Sequence, residues 1–381
     1  MIRYLLAFGA ALSLGPAAVS QPPSPPPAQT RAPEQPDGAE YWTPSDQRMT
    51  FTAARISFPR RVGAVRLTRP IALNQRNAGL DNALIYDSDD GALTAIAYVY
   101  LPGFADEGLA AVVSEHFTRL QSGAGFRLLG RRVTAAGGRE GVAIRADYAG
   151  FRAANEASSS AFLRAGRWLV KLRVFGPESR RADVERTLTA LLEEIRFEGE
   201  AAPRPAEPIE LVDCPPAPAG PTATLLAPNA AEAMEDAIMA VAVGLHVNER
   251  AGSSNSSRRW CVSSFRRVGP YALPTLRILP SAPTEDSRRN VAMAILNDSG
   301  GVLEVVERRF RNRSRWLLLY HSAGRTLVLG AYDALPGDAQ INAVLDGTDP
   351  AGGRPRATID YQASGDSNIT LHVMPDAPAA N

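Results

Sequence analysis

The chain has 381 residues, 45% hydrophobic and 21% charged, with 41 basic and 40 acidic side chains and a formal net charge of +1. That apolar share excludes global disorder, and a charge so near zero argues against a dedicated nucleic-acid binder. Two Cys and four His exclude a Cys-rich zinc scaffold, and the length suggests two ordinary domains.

In chain order, Arg3 supplies a short basic start, Tyr4 to Leu14 form an apolar run of eleven residues, and Ala18-Val19-Ser20 offers small residues before Gln21. This three-part pattern predicts a secretory signal peptide over residues 1–20. The apolar run is too short for a membrane span, which needs about 20 residues, so no transmembrane anchor is expected after cleavage. Lys171 is the only Lys against forty Arg, a bias consistent with a GC-rich bacterial genome and hence a periplasmic or secreted protein. Residues 21–40 open with QPPSPPPAQTRAPEQPDG. Such proline density removes backbone donors and favours an extended spacer.

The first domain is expected over residues 41–198. Arg48 to Phe58 reads as a strand with Phe51, Ile56 and Phe58 inward. Asn82 to Tyr86 and Leu93 to Leu101 read as a hairpin around Asp87-Ser88-Asp89-Asp90-Gly91. A helix follows over Asp106 to Ser122, with Leu109, Val112, Val113, His116, Phe117 and Leu120 at helical spacing. Strands recur at Gly141 to Tyr148, Ser158 to Arg164 and Arg167 to Phe175, before a helix from Ser179 to about Ile195. With GRWLVKLRV, a polar turn and an amphipathic helix as its best local match, this order resembles the PsbP-type fold over residues 48–197. The resemblance implies an extracytoplasmic accessory role and carries over no functional residue.

Pro and Ala crowd the chain after Glu198, predicting a joint over 199–208. The second domain, 209–374, is expected to open with a helix at Asn229 to Leu245. Short strands follow at Trp260 to Phe265, Leu273 to Leu279, Val291 to Leu296, Val302 to Val306, Trp316 to His321, Thr326 to Tyr332, Ala357 to Tyr361 and Asn368 to Val373. A helix is expected at Asp338 to Leu345, and residues 375–381 read as a tail. The fold class is therefore α+β: two domains, each a mainly antiparallel sheet packed with a few helices.

Candidate chemistry is sparse. Asp298-Ser299-Gly300-Gly301 resembles the nucleophile run of chymotrypsin-like proteases, but Asn297 precedes it and no His has the required context. Turn chemistry between two apolar strands explains it better. Asp87 to Gly91 fails as a calcium loop, since position five is Gly91 and position twelve Tyr98. His116, His246, His321 and His372 are far apart and give no metal-ligand spacing; His116, on an apolar helix face, reads as a core histidine. No catalytic residue, metal site or cofactor is predicted.

Two features stand out. From Arg258 to Arg315 there are twelve Arg against five acids. Within this stretch Arg309, Arg311, Arg313 and Arg315 alternate, which in one extended strand would put all four on one face. That face is expected to meet an anionic envelope polymer or lipid surface, with nucleic acid not a physiological partner. The simpler reading is a charged edge that resists aggregation. Cys214 and Cys261, the only two Cys, are expected to form a disulfide in an oxidising compartment. The function expected is a non-enzymatic envelope binding module; the alternative is a hydrolase of envelope material with a dispersed site.

Overall fold

The structure, a computed structural model, describes residues 38–73, 79–102, 107–122, 125–153, 155–199, 202–215, 222–226, 259–268, 271–279, 291–295, 301–310, 313–349 and 355–372. The segment expected as a signal peptide, almost all of the expected Pro-rich spacer, the helix expected at 229–245 and the expected tail lie outside these residues.

The described fold is dominated by antiparallel strands in three sheets. The first joins β1 (Trp42–Pro44), β2 (Arg48–Phe51), β3 (Ile56–Pro59) and, late in the chain, β12 (Arg196–Phe197). One strand was expected over 48–58. The chain instead reverses through residues 52–55, where Arg55 takes φ 52°, and Phe51 pairs with Ile56. Phe51, Ile56 and Phe58 are nonetheless fully buried.

The second sheet contains β4 (Arg61–Val62), β5 (Val65–Ala72), β6 (Asp81–Ser88), β7 (Thr94–Tyr100), β8 (Arg127–Ala136), β9 (Arg139–Ala149), β10 (Glu156–Ala165) and β11 (Trp168–Pro177), in the order β4-β5-β6-β7-β11-β10-β9-β8. Helix α1 (Glu107–Ser122) follows β7, and α2 (Arg181–Glu194) follows β11. Alternation in β10 and β11 sends Ala161, Leu163, Leu172 and Val174 to the side that receives Val184, Leu188, Leu191 and Leu192 of α2. Helix α2 touches both β4 and β8, the two outer strands. Eight strands about 4.8 Å apart would lie roughly 34 Å wide if flat, and a helix is about 10–12 Å across. The sheet therefore curls around α2.

The third sheet runs β13-β14-β15-β16-β17-β18-β19-β20-β21. Its strands are β13 (Leu211–Asp213), β14 (Arg259–Val268), β15 (Tyr271–Leu279), β16 (Val291–Ile295), β17 (Val302–Phe310), β18 (Arg313–Ser322), β19 (Arg325–Tyr332), β20 (Ala357–Tyr361) and β21 (Ser367–Leu371), with α3 (Asp338–Leu345) between β19 and β20. Only β13–β14 pairs in parallel. Both faces are packed. Val302, Val306, Leu317 and Leu319 join the core that also holds α1 and the second sheet. Leu303, Val305, Trp316 and Leu318 meet Ile341 and Val344 of α3.

Residues 35–381 form one unit, and the Pro-rich stretch expected as a joint is laid along the first half. Pro203 bridges to Ala165, Ala206 N–H donates to Gly141 O at 2.8 Å, and Ile209 is buried. Gly108 of α1 permits this: a Cβ there would sit 2.3 Å from the Glu207 carbonyl oxygen. A helical Gly→Ala change elsewhere gains about 1 kcal/mol. At Gly108 the sign should reverse, with Gly108→Ala lowering the urea midpoint because the 207–209 backbone must lift off the helix. A raised midpoint would contradict this packing.

Candidate functional site

The four alternating Arg do not share one strand face. β17 ends at Phe310 and β18 begins at Arg313, with Arg308↔Arg315, Arg309↔Ser314 and Phe310↔Arg313 in register. Directly paired positions share a face and neighbours alternate. Position 309 therefore falls with Ser314, while 313 and 315 fall on the other face with 308. Arg311 lies outside the described residues, in the two-residue connection with Asn312. The expectation of a common face fails because Arg309 and Arg313 stand on two paired antiparallel strands rather than one. Arg315 is also only 9% exposed, so it belongs to the packed root rather than to a free surface.

The register shows something the sequence reading did not anticipate. Pairing of β16 with β17 stops at Val291↔Val306, and pairing of β19 with β18 stops at Trp316↔Tyr332. Beyond those points, the pairs 308↔315, 309↔314 and 310↔313 have no ladder neighbour on either flank among the described residues. They form a two-stranded arm whose β19 flank is open among the described residues. Exposed Ser314 Oγ donates to Glu307 Oε1 at 2.6 Å near its base. Trp316 roots it against Leu318, Tyr332 and Ile341. Elsewhere in the basic stretch, Arg277 Nε donates to Asp338 at 3.1 Å, so that charge is neutralised within the fold. Burial pushes the Asp338 carboxyl up, but Arg277 outweighs it and holds it below the ordinary range.

A second cluster is wholly internal. His321 pairs with Thr326 across the β18–β19 hairpin, with Nδ1 to Oγ1 at 2.8 Å. Its Nε2 meets Glu304 Oε2 at 3.0 Å, and Thr326 Oγ1 meets the Tyr361 hydroxyl at 3.0 Å. All four residues are at most 3% exposed. With Glu304 ionised and the imidazole neutral, one direction satisfies the chain: Tyr361 donates to Thr326, Thr326 to Nδ1, and Nε2–H to Glu304. Burial pushes the Tyr361 hydroxyl up to about 12, with the Thr326 hydrogen bond working against it. A hydroxyl, an imidazole and a carboxylate in that order have the connectivity of a hydrolytic triad. Their burial denies them to substrate, so the chain is a structural network.

The remaining sequence candidates resolve locally. Asp87 to Gly91 is the β6–β7 turn: Ser88 Oγ donates to Asp90 at 2.5 Å and accepts from Leu93 N–H at 2.9 Å. Asp87 accepts from Thr68 and Thr94, and Arg66 pairs with Asp89 at 2.9 Å. Asn297 to Gly300 lie outside the described residues, but the strands they join, β16 and β17, pair antiparallel. His116 is half-buried and stacks on exposed Phe265 with centroids 5.3 Å apart, so it sits at a cleft mouth rather than in the core. His372 Nε2 bonds Thr358 at 2.8 Å, and His246 lies outside the described residues. Among the described residues, no three His, Cys, Asp or Glu converge as metal ligands.

Cys214 and Cys261 form a disulfide, with Cα atoms 4.8 Å apart. It staples β13 to β14, where Val212 pairs with Cys261. No family model matches the chain, and no curated protein matches it.

Proposed function

We propose that the chain is an exported, non-catalytic binding protein of the cell envelope whose β17–β18 arm docks on an anionic polymer or lipid surface. The carrying observation is the register: the Arg-rich hairpin end runs past its last pair with β19 and past the last described pair with β16. Arg308, Arg309 and Arg313 stand in its end pairs, and Arg311 falls between the two strands in sequence. Arg suits this role because its always-charged planar fork can bind phosphate or carboxylate oxygens through two hydrogen bonds. Export is supported by the pattern of residues 1–20 and by the disulfide, a bond typical of oxidising compartments. No described helix is long and apolar enough to cross a membrane. The strand and helix order over residues 48–197 is consistent with a PsbP-type accessory module.

The test is a binding series on vesicles of anionic phospholipid, neutral vesicles and a soluble polyanion, for wild type and a variant with Arg309, Arg311 and Arg313 changed to Ser. Arg315 is left intact because it is buried. Each basic residue near an anionic surface contributes about 1 kcal/mol, so the triple change should weaken vesicle binding about 100-fold. Wild-type binding should also fade as salt shortens the screening length from about 10 Å at 0.1 M toward 3 Å at 1 M. Equal, salt-insensitive retention of both proteins would end the proposal.

A further inference from the structure

The curl of the second sheet builds a basin distinct from the arm. The turn at Gly63 after β4, the strands β8 and β9, and the outer side of α2 line about 840 Å³ of open space, within the usual range for small-ligand sites. Arg145 sits in its floor, 5% exposed and locked in place. Its Nε donates to Asp147 at 3.0 Å, Nη1 to Thr189 Oγ1 at 2.7 Å and Nη2 to the Glu185 carbonyl at 3.4 Å. Arg132 Nη1 donates to the other oxygen of Asp147 at 2.7 Å, and Ser159 Oγ donates to Asp147 Oδ1 at 2.6 Å.

One carboxylate thus serves two guanidinium groups, leaving an excess positive charge on that wall. Burial pushes the Asp147 carboxyl up, but the Ser159 bond and the two Arg outweigh it and hold it below the ordinary range. Its stabilisation is complete above an unfolded Asp's pKa of about 3.9 and is lost as pH falls through the lowered folded value. The wall therefore stays paired at neutral pH. Arg132 uses one of its five N–H groups on Asp147, and its side chain is 53% exposed, open to a ligand.

The α2 flank carries an excess of the other sign, since its Arg186 is paired with Asp183. Glu185, Thr189 and Glu193 are spaced four residues apart on α2 and so form one flank. The exposed Glu193 carboxylate has no ion-pair partner among the described residues. These acids repel a polyanion such as the arm would bind, and the Arg pair repels a simple cation.

We propose that this basin binds a small zwitterion, an amino acid or short peptide with a free carboxylate and a free ammonium. The carboxylate meets Arg132 above the Arg145 floor, and the ammonium meets Glu193. Both contacting side chains are exposed and carry no core packing, so they can be exchanged without unfolding the protein.

The experiment is calorimetric titration of the full chain with trialanine, and with trialanine capped at either end. Free trialanine should bind saturably. Capping either end, Arg132→Ser, or Glu193→Gln should each weaken binding about tenfold or more, the scale of one lost charge-assisted hydrogen bond. Unchanged urea midpoints would confirm that each variant is folded. No saturable heat at millimolar peptide, equal binding of capped and free peptide, or wild-type affinity in both variants would overturn the proposal. The arm variant should bind trialanine normally, which separates this test from that of the arm.

Discussion

His321→Ala is expected to lower the unfolding free energy by about 3–5 kcal/mol, the scale of leaving an ionised carboxylate buried without its hydrogen-bond donor. The imidazole is the centre of a four-residue chain, and its loss strips Glu304 Oε2 and Thr326 Oγ1 of their 3.0 and 2.8 Å partners. Water cannot take its place cheaply, because His321 is 1% and Glu304 3% exposed. Two milder changes grade the effect. Thr326→Val should cost about 1–3 kcal/mol, since it leaves two buried groups unpaired, and Tyr361→Phe about 1 kcal/mol for one hydrogen bond. Urea midpoints at constant m-value give the order directly. A His321→Ala protein as stable as wild type would mean that the chain is not a buried network.

Reduction of the Cys214–Cys261 bond is expected to cost about 4 kcal/mol on the chain-entropy model, given a sequence separation of 47. Local structure makes a large effect reasonable. β13 has three residues and pairs only with β14, too little to hold itself. The disulfide keeps that strand in parallel register, one residue beyond its end, where Cys214 N–H donates to Val262 O at 3.0 Å. Thiol titration of denatured, unreduced protein should find no free thiol. Adding reductant should lower the urea midpoint. Two free thiols per chain, or a midpoint indifferent to reductant, would contradict the bond.

Much of the described fold was readable because its signals are local. Helix α3 and strand β20 match the expected spans, and α1 and α2 start within one or two residues of theirs. These segments combine clean periodicity with marked ends. What escaped lacked those cues. β8 reads RLLGRRVTAA, with three Arg, a Gly and two register shifts, and as an outer strand it leaves much of its length exposed. β13 is too short to show a period. β5 carries Pro70 in a Val-Arg-Leu-Thr-Arg-Pro sequence that argues against a strand unless a bulge absorbs it, and the β5–β6 register does shift between Leu67 and Arg69.

The sites divide in the same way. The disulfide followed from having two Cys. The Arg run was visible as composition, but its geometry depended on register: Arg309 belongs to β17 opposite Ser314, and Arg313 to β18 opposite Phe310. The Glu304–His321–Thr326–Tyr361 network had a faint signal: His321 and Thr326 flank the Ser322-Ala323-Gly324 turn, which sets them opposite one another. Glu304 and Tyr361 come from strands β17 and β20, and only the sheet order brings them to that hairpin. The basin over α2 arises from sheet curvature, which no residue pattern in the chain announces.

Amide hydrogen exchange of wild-type protein, with and without anionic phospholipid vesicles, tests the binding arm most directly because it alters no residue. The arm's two strands pair with each other but have no flanking strand among the described residues, so in free protein the amides of residues 308–310 and 313–315 should exchange faster than those of β17 and β18 nearer the sheet centre. Vesicles should slow exchange in 308–315, and 1 M salt should abolish that protection. Protection confined to another surface, or none in the arm under conditions where the protein is vesicle-bound, would contradict the proposed function.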